Sequence, residues 1–116
     1  MTLTLYGIPN CDTVKKARDW LASNGVAYRF HNYKTDGVDA DTLKRWSGEI
    51  GWEKVLNRAS ATFKALPDSD KQDLTEDKAI SLMIRQPSMI KRPIFERGDT
   101  IVAGFKPDAA LLDRLR

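Results

Sequence analysis

The sequence predicts an α/β domain: a four-stranded mixed β-sheet flanked by helices, with a helical insertion between the second and third strands. Three observations point there. The N-terminal third reads strand, helix, strand, which is a βαβ unit. Near the C-terminus two β-rich runs flank Gly98-Asp99, the mark of a hairpin. Between these parts, from Asp39 to about Met89, only short amphipathic helical pieces occur.

The elements follow in order. Residues 2–6, Thr-Leu-Thr-Leu-Tyr, alternate polar and apolar and put Leu3 and Leu5 on one face of a strand. Gly-Ile-Pro-Asn at 7–10 is turn chemistry. Val14, Ala17, Trp20 and Leu21 then recur at helical spacing up to Asn24-Gly25, a C-terminal stop. In the next run Val26, Tyr28 and Phe30 alternate with Ala27, Arg29 and His31, giving a second strand, parallel to the first through a right-handed crossover.

In the middle segment Asp39 is placed to cap a helix carrying Leu43 and Trp46, and Trp52, Val55 and Leu56 share a stripe. Residues 60–66 stop at Pro67, and Thr75 caps a helix whose Ala79, Ile80, Met83 and Ile84 share a face. Such pieces are too short to be stable alone, so they are expected to pack as an insertion. After Pro87, residues 92–97 and 100–105 form the hairpin, with a turn of about three or four residues. Lys106-Pro107-Asp108 opens a last helix, with proline in its first turn and Leu111, Leu112 and Leu115 on its apolar face. The expected organisation is one domain over 1–116, with residues 1–34 and 87–116 as the sheet-bearing core and about 39–86 as the insertion.

Composition narrows the function. The net charge of +3 comes from mixed signs, unlike the Lys/Arg-dense footprint of a nucleic-acid binder. No apolar run reaches the roughly 18 residues of a membrane span, and no basic segment followed by an apolar one stands at the N-terminus. A single cysteine cannot form an internal disulfide, which fits a reducing cytoplasm. With one histidine, one cysteine and no acidic cluster beside them, no metal site is expected. His31 lies on a strand among aromatics and reads as structural. Trp20, Trp46 and Trp52 read as packing residues, and Arg97-Gly98-Asp99 is explained by its hairpin turn.

Cys11 is the position with chemistry to offer. It follows a turn, precedes a helix whose free N–H groups and dipole favour an anion, and is followed by Lys15 and Lys16. A free thiol, with an ordinary pKa near ~8.5, is only a few per cent ionised at neutral pH. Shifting such a group by about two units takes about 2.7 kcal/mol, whereas a helix end supplies ~0.3–1 kcal/mol, or ~2 when partly buried. Further cations must therefore converge, and Arg58 and Arg92 are the candidates, because both sit where helix gives way to loop.

The motifs YGIPNCDTVKKARDWL, NYKTDG, LNRAS, LMIRQPSMIKRPIF and VAGFKP occur in this order along nearly the whole chain. Together they resemble the arsenate reductase (ArsC/Spx) family on a thioredoxin-like fold, and most of all its small YffB-type branch. The resemblance implies that Cys11 is the nucleophile, that Arg58 and Arg92 surround thiolate and oxyanion, and that Pro93 is the cis-proline of thioredoxin-like sheets. Asn10, Thr13, Lys15, Pro93 and Lys106 become the candidates for contacting substrate or glutathione. No cofactor is expected to be bound; glutathione or another small thiol is the implied co-substrate, with a protein disulfide or an oxyanion as substrate.

Some positions depart from the family pattern. The Gly-Thr-Ser-Arg-like segment that follows the cysteine in arsenate reductases is here Asp12-Thr13-Val14-Lys15, their upstream histidine is Gly7, and their third arginine is Lys106. Lysine keeps the charge but loses the bidentate fork. The expectation is thus a thiol-dependent reductase, glutathione as its donor, with arsenate itself left open. The alternative is a non-catalytic Spx-like regulatory module that works by binding protein partners. Spx-type regulators often carry a Cys-x-x-Cys switch, and Val14 here stands in place of its second cysteine.

Overall fold

The computed structural model describes residues 2–116. In chain order the elements are β1 (Leu3–Gly7), α1 (Asp12–Ser23), β2 (Tyr28–Asn32), α2 (Tyr33–Asp36), α3 (Ala40–Ile50), α4 (Trp52–Val55) and α5 (Ala61–Lys64). There follow α6 (Asp68–Lys71), α7 (Glu76–Arg85), a 3-10 turn at Pro87–Met89, β3 (Ile94–Arg97), β4 (Thr100–Ala103) and α8 (Ala109–Leu115). The chain divides into two units, one running to Asp36 and resuming over Arg92–Arg116, the other Gly37–Lys91.

The first unit holds the sheet, in the order β2-β1-β3-β4. β1 pairs parallel with β2 and antiparallel with β3, and β3 pairs antiparallel with β4. This is the mixed four-stranded sheet of the thioredoxin-like class. The period-two pattern sets the register: Leu5 lies opposite Phe30 on one side and Phe95 on the other, and Phe95 lies opposite Val102. That face packs Ala17 and Leu21 of α1 and Leu111 and Leu115 of α8 into one core, joined by Trp20, Val26 and Tyr28. The other face carries Tyr6, whose hydroxyl donates to Glu96 at 3.0 Å.

Some local expectations change. Arg97 pairs with Thr100, so the hairpin turn is two residues long, not three or four. Gly98 sits at φ +59, and two-residue hairpin turns favour glycine at their first position. The last helix begins at Ala109 because the Asp108 carboxylate accepts from the Leu111 N–H at 2.8 Å; Pro107 stays outside it. A helical turn, α2, stands where the sequence suggested only the end of a strand. Asn32 accepts from the Lys34 N–H at 2.9 Å and Asp36 from the Asn32 N–H at 3.3 Å, so two short side chains curl the chain.

The second unit is helical. Asp39, Ser60 and Thr75 cap α3, α5 and α7 through their side chains. Trp46 and Leu43 of α3 and Ala79, Ile80, Leu82 and Met83 of α7 are buried. Ile84 is not: it is 41% exposed, and Leu82 completes the buried arc instead. Where no strand was expected, Leu56 and Ile90 form an isolated antiparallel bridge, flanked by the Asn57 N–H on Met89 O and the Lys91 N–H on Val55 O.

Candidate active site

The site is assembled at one end of the sheet. Gly7 at the end of β1 lies opposite Asn32 at the end of β2, Tyr6 lies opposite Ile94 at the start of β3, and Ile94 lies opposite Ala103 at the end of β4. The segments leaving that end therefore carry Cys11, Tyr33, Arg92-Pro93 and Lys106. The Gly104 N–H donates to Pro93 O at 2.8 Å and ties two of them together. The Arg92–Pro93 peptide bond is cis, and Pro93 is buried.

Cys11 is the N-cap of α1, with extended backbone (φ −103, ψ 125), and its thiol is free and half-buried. The usual capping residues are Ser, Thr, Asp and Asn, whose oxygens satisfy the first N–H groups of a helix. Here no side chain does so. The twelve-residue helix thus presents its first-turn donors and the positive end of its dipole beside a sulfur atom. Gly7 sets the approach of that helix: a Cβ built on it would meet Val14 Cγ2 at 2.7 Å.

Arg92 is half-buried at the same end of the sheet. Burial, and next the neighbouring Tyr6, hold the Tyr33 hydroxyl well above the usual tyrosine range, while Arg92 pulls the other way. Folding thus favours neutral Tyr33. Its contribution is intact below the unfolded value near ~10 and declines as pH climbs from there toward the folded value. The urea midpoint of the wild type should accordingly fall further between about pH 9.5 and 11 than that of Tyr33→Phe. Parallel declines would mean that this hydroxyl does not set the alkaline limit.

Asn10, Asp12, Thr13, Lys15 and Lys106 are exposed around Cys11 or at the same sheet end. Arg58 belongs to the second unit, where it is exposed and its guanidinium lies 5.3 Å from the centre of the Trp52 ring. His31 packs against Tyr6, ring centres 4.7 Å apart. Among the described residues no three His, Cys, Asp or Glu side chains gather to hold a metal, and no helix is long and apolar enough to cross a membrane. Two features escaped the sequence reading. Tyr33 has no periodic partner to reveal its burial. Arg18 could have been found by its spacing, two helical turns beyond Cys11; its Nε donates to Tyr28 Oη at 3.1 Å and its plane lies 4.5 Å from the Phe30 ring centre.

A family model described as the ArsC family matches residues 6–111. A solved structure of the YffB protein is 55% identical, covers 99% of this chain and 100% of its own, and superposes with a TM-score of 0.94. The solution structure of an arsenate reductase (ArsC) related protein from Brucella melitensis is 50% identical over 92% of this chain and 89% of its own, with a TM-score of 0.77. The global transcriptional regulator Spx of Streptococcus mutans is 32% identical over 108 residues, 91% of this chain and 78% of that protein.

Proposed function

The chain belongs to the ArsC family, and from that premise we propose that it is a thiol-dependent reductase in which Cys11 is the nucleophile and glutathione the external thiol. The observation that carries this reading is the uncapped start of α1, occupied by Cys11 at the sheet end that Arg92 shares.

The Cys11 thiolate attacks one sulfur of a disulfide R–S–S–R′. A Cys11–S–S–R bond forms, the original S–S bond breaks, and the R′ thiolate leaves and takes up a proton. A glutathione thiolate then attacks the Cys11 sulfur and releases R as a thiolate, which is protonated in turn. A second glutathione attacks the glutathione sulfur of the resulting Cys11 adduct, regenerating the Cys11 thiolate and giving oxidised glutathione. One disulfide has become two thiols, and two glutathiones one disulfide. The external thiol is required because the chain has one cysteine. The first-turn N–H groups and Arg92 stabilise the sulfur anion as attacker and as leaving group. Asn10, Thr13, Lys15, Pro93 and Lys106 are the residues proposed to contact the thiol substrate. Asp12, Gly7 and Lys106 replace groups that favour an oxyanion, so a disulfide is the preferred substrate over arsenate.

Titration with reduced glutathione, followed by amide chemical shifts, tests the reading. The largest shifts are expected at Cys11, Thr13 and Arg92. The likeness to Spx supports a second reading, a regulatory module that binds protein partners without turnover. Silence at those three amides, with no glutathione-dependent turnover of a disulfide, would leave only that one.

A further inference from the structure

One face of α1 has features that the thiol chemistry does not use. A helix turns 3.6 residues per turn, so positions 11, 15, 18 and 22 fall on one stripe. Cys11 starts the stripe, and Lys15, Arg18 and Ala22 continue it; these last three, with Asp19 and Tyr28, line a groove of about 360 Å³ between α1 and β2. The buried side of the helix, Val14, Ala17 and Leu21, faces the core instead. Cys11 itself lies outside the groove's lining, one helical turn before Lys15 on the same stripe, so the groove's basic wall begins one turn beyond the sulfur.

Arg18 is held in that wall. Its guanidinium carbon lies over Phe30, 4.5 Å from the ring centre, and its Nε donates to the Tyr28 hydroxyl at 3.1 Å. That leaves the terminal amino groups of the guanidinium fork, in a fixed orientation, for a ligand. An arginine already held by a ring and a hydroxyl loses little side-chain freedom on gripping a carboxylate. Lys15 stands one turn nearer Cys11, and its amide donates to Cys11 O at 2.9 Å. Asp19 lines the groove beside Arg18, so the charge pattern favours one acid at a set distance over a polyanion.

We propose that this groove recognises an acidic peptide: the disulfide substrate of Cys11 carries an aspartate or glutamate about three residues from its own cysteine, and Lys15 and Arg18 bind that carboxylate. The spacing follows from reach. Seven helical residues from Cys11 to Arg18 rise about 10 Å, which an extended peptide spans in about three residues. The proposal rests on the reading of Cys11 as the nucleophile and names the substrate class that reading leaves open.

The test uses two cysteine peptides activated as 2-thiopyridyl mixed disulfides, alike except for glutamate or glutamine three residues from the cysteine. Thiopyridone release gives the rate of attack by the full chain. The wild type should react with the glutamate peptide about fivefold faster, and the preference should shrink as ionic strength rises. Arg18→Gln should reduce the preference while still attacking the glutamine peptide at the wild-type rate, Lys15→Gln should lower the ratio of the glutamate to the glutamine rate, and Arg18→Lys should restore the preference only in part. Lys15 is exposed, so its variant serves even if Arg18→Gln disturbs the fold. Equal rates for both peptides with a reactive Cys11 overturn the proposal and leave the reductase reading intact. If neither peptide reacts faster than with Cys11→Ser, the reductase reading falls and this proposal with it. Equal inhibition of both peptides by S-methylglutathione, whose blocked sulfur cannot itself release thiopyridone, with no glutamate preference, would assign the groove to the small thiol instead.

Discussion

Replacing Cys11 by serine is expected to reduce glutathione-dependent disulfide turnover to the uncatalysed background while making the protein more stable. Loss of the covalent adduct is certain, because no other cysteine exists to form it; turnover is the informative readout. A hydroxyl is far harder to ionise than a thiol and cannot take the thiol's place in exchange with a disulfide. The gain in stability has a separate cause. The cysteine side chain makes no capping hydrogen bond, whereas a serine oxygen at this position can accept from the first-turn N–H groups, worth about 1 kcal/mol. A higher melting temperature together with lost turnover would mean that this helix start gives up stability to hold a reactive sulfur. Turnover at the wild-type rate in the serine variant would end the reductase reading, and an unchanged melting temperature would show that the serine oxygen does not cap.

The second large effect is expected at Gly7. A Cβ there would stand 2.7 Å from Val14 Cγ2 and 3.3 Å from Cγ1. Valine in a helix is confined to nearly one rotamer, so the side chain cannot swing aside; either the helix lifts or the strand end bends. Gly7→Ala should therefore cost about 1–3 kcal/mol, the usual range for overpacking. It should also slow the reaction of Cys11, three residues before Val14 on the chain. Val14 is fully buried, so Val14→Ala alone leaves a cavity and is destabilising too. The double variant should be more stable than the sum of the two losses predicts, with a coupling of about 1 kcal/mol or more in urea denaturation. Additive losses would show that this contact does not set the position of the helix. The same crowding means that a histidine, as arsenate reductases carry at this place, would not fit here without a smaller residue at 14.

The sheet was legible in the sequence because its pattern is simple and local. Leu3 with Leu5, and Tyr28 with Phe30, announce a period of two and a common face, and the structure keeps both; Val26 packs on that face but lies before β2 begins. Capping was equally plain: Asp39 and Thr75 carry the short oxygen-bearing side chains favoured at helix starts, and each accepts an N–H of its helix. Pro107 misled because proline is allowed in a first helical turn, yet a carboxylate one residue later defines the start more strongly. α2 was missed because it arises from two side-chain-to-backbone contacts, which leave no period to read. At the candidate site, the order turn, cysteine, helix could be read directly. That Arg92 reaches the same sheet end depends on β3 pairing antiparallel with β1, about ninety residues away in the chain, which no local pattern encodes. Arg58 was a candidate from its place where helix gives way to loop and from the family resemblance; in its own unit the residue sits over Trp52.

The strand order leaves β2 and β4 as the outermost strands, each with one flank of backbone N–H and C=O groups that no neighbouring strand pairs. Such flanks are where separate chains can add on and grow into aggregates. β2 is five residues long, exposes Arg29 at its second position, and is cut off at once by the turn that Asn32 and Asp36 impose. The curl at the end of β2 thus shortens the template available to another molecule, and the charge of Arg29 near the strand's start makes close stacking of identical copies repulsive. The same few residues that carry the chain out of the sheet thus keep this outer strand short and charged, two features that blunt an open edge.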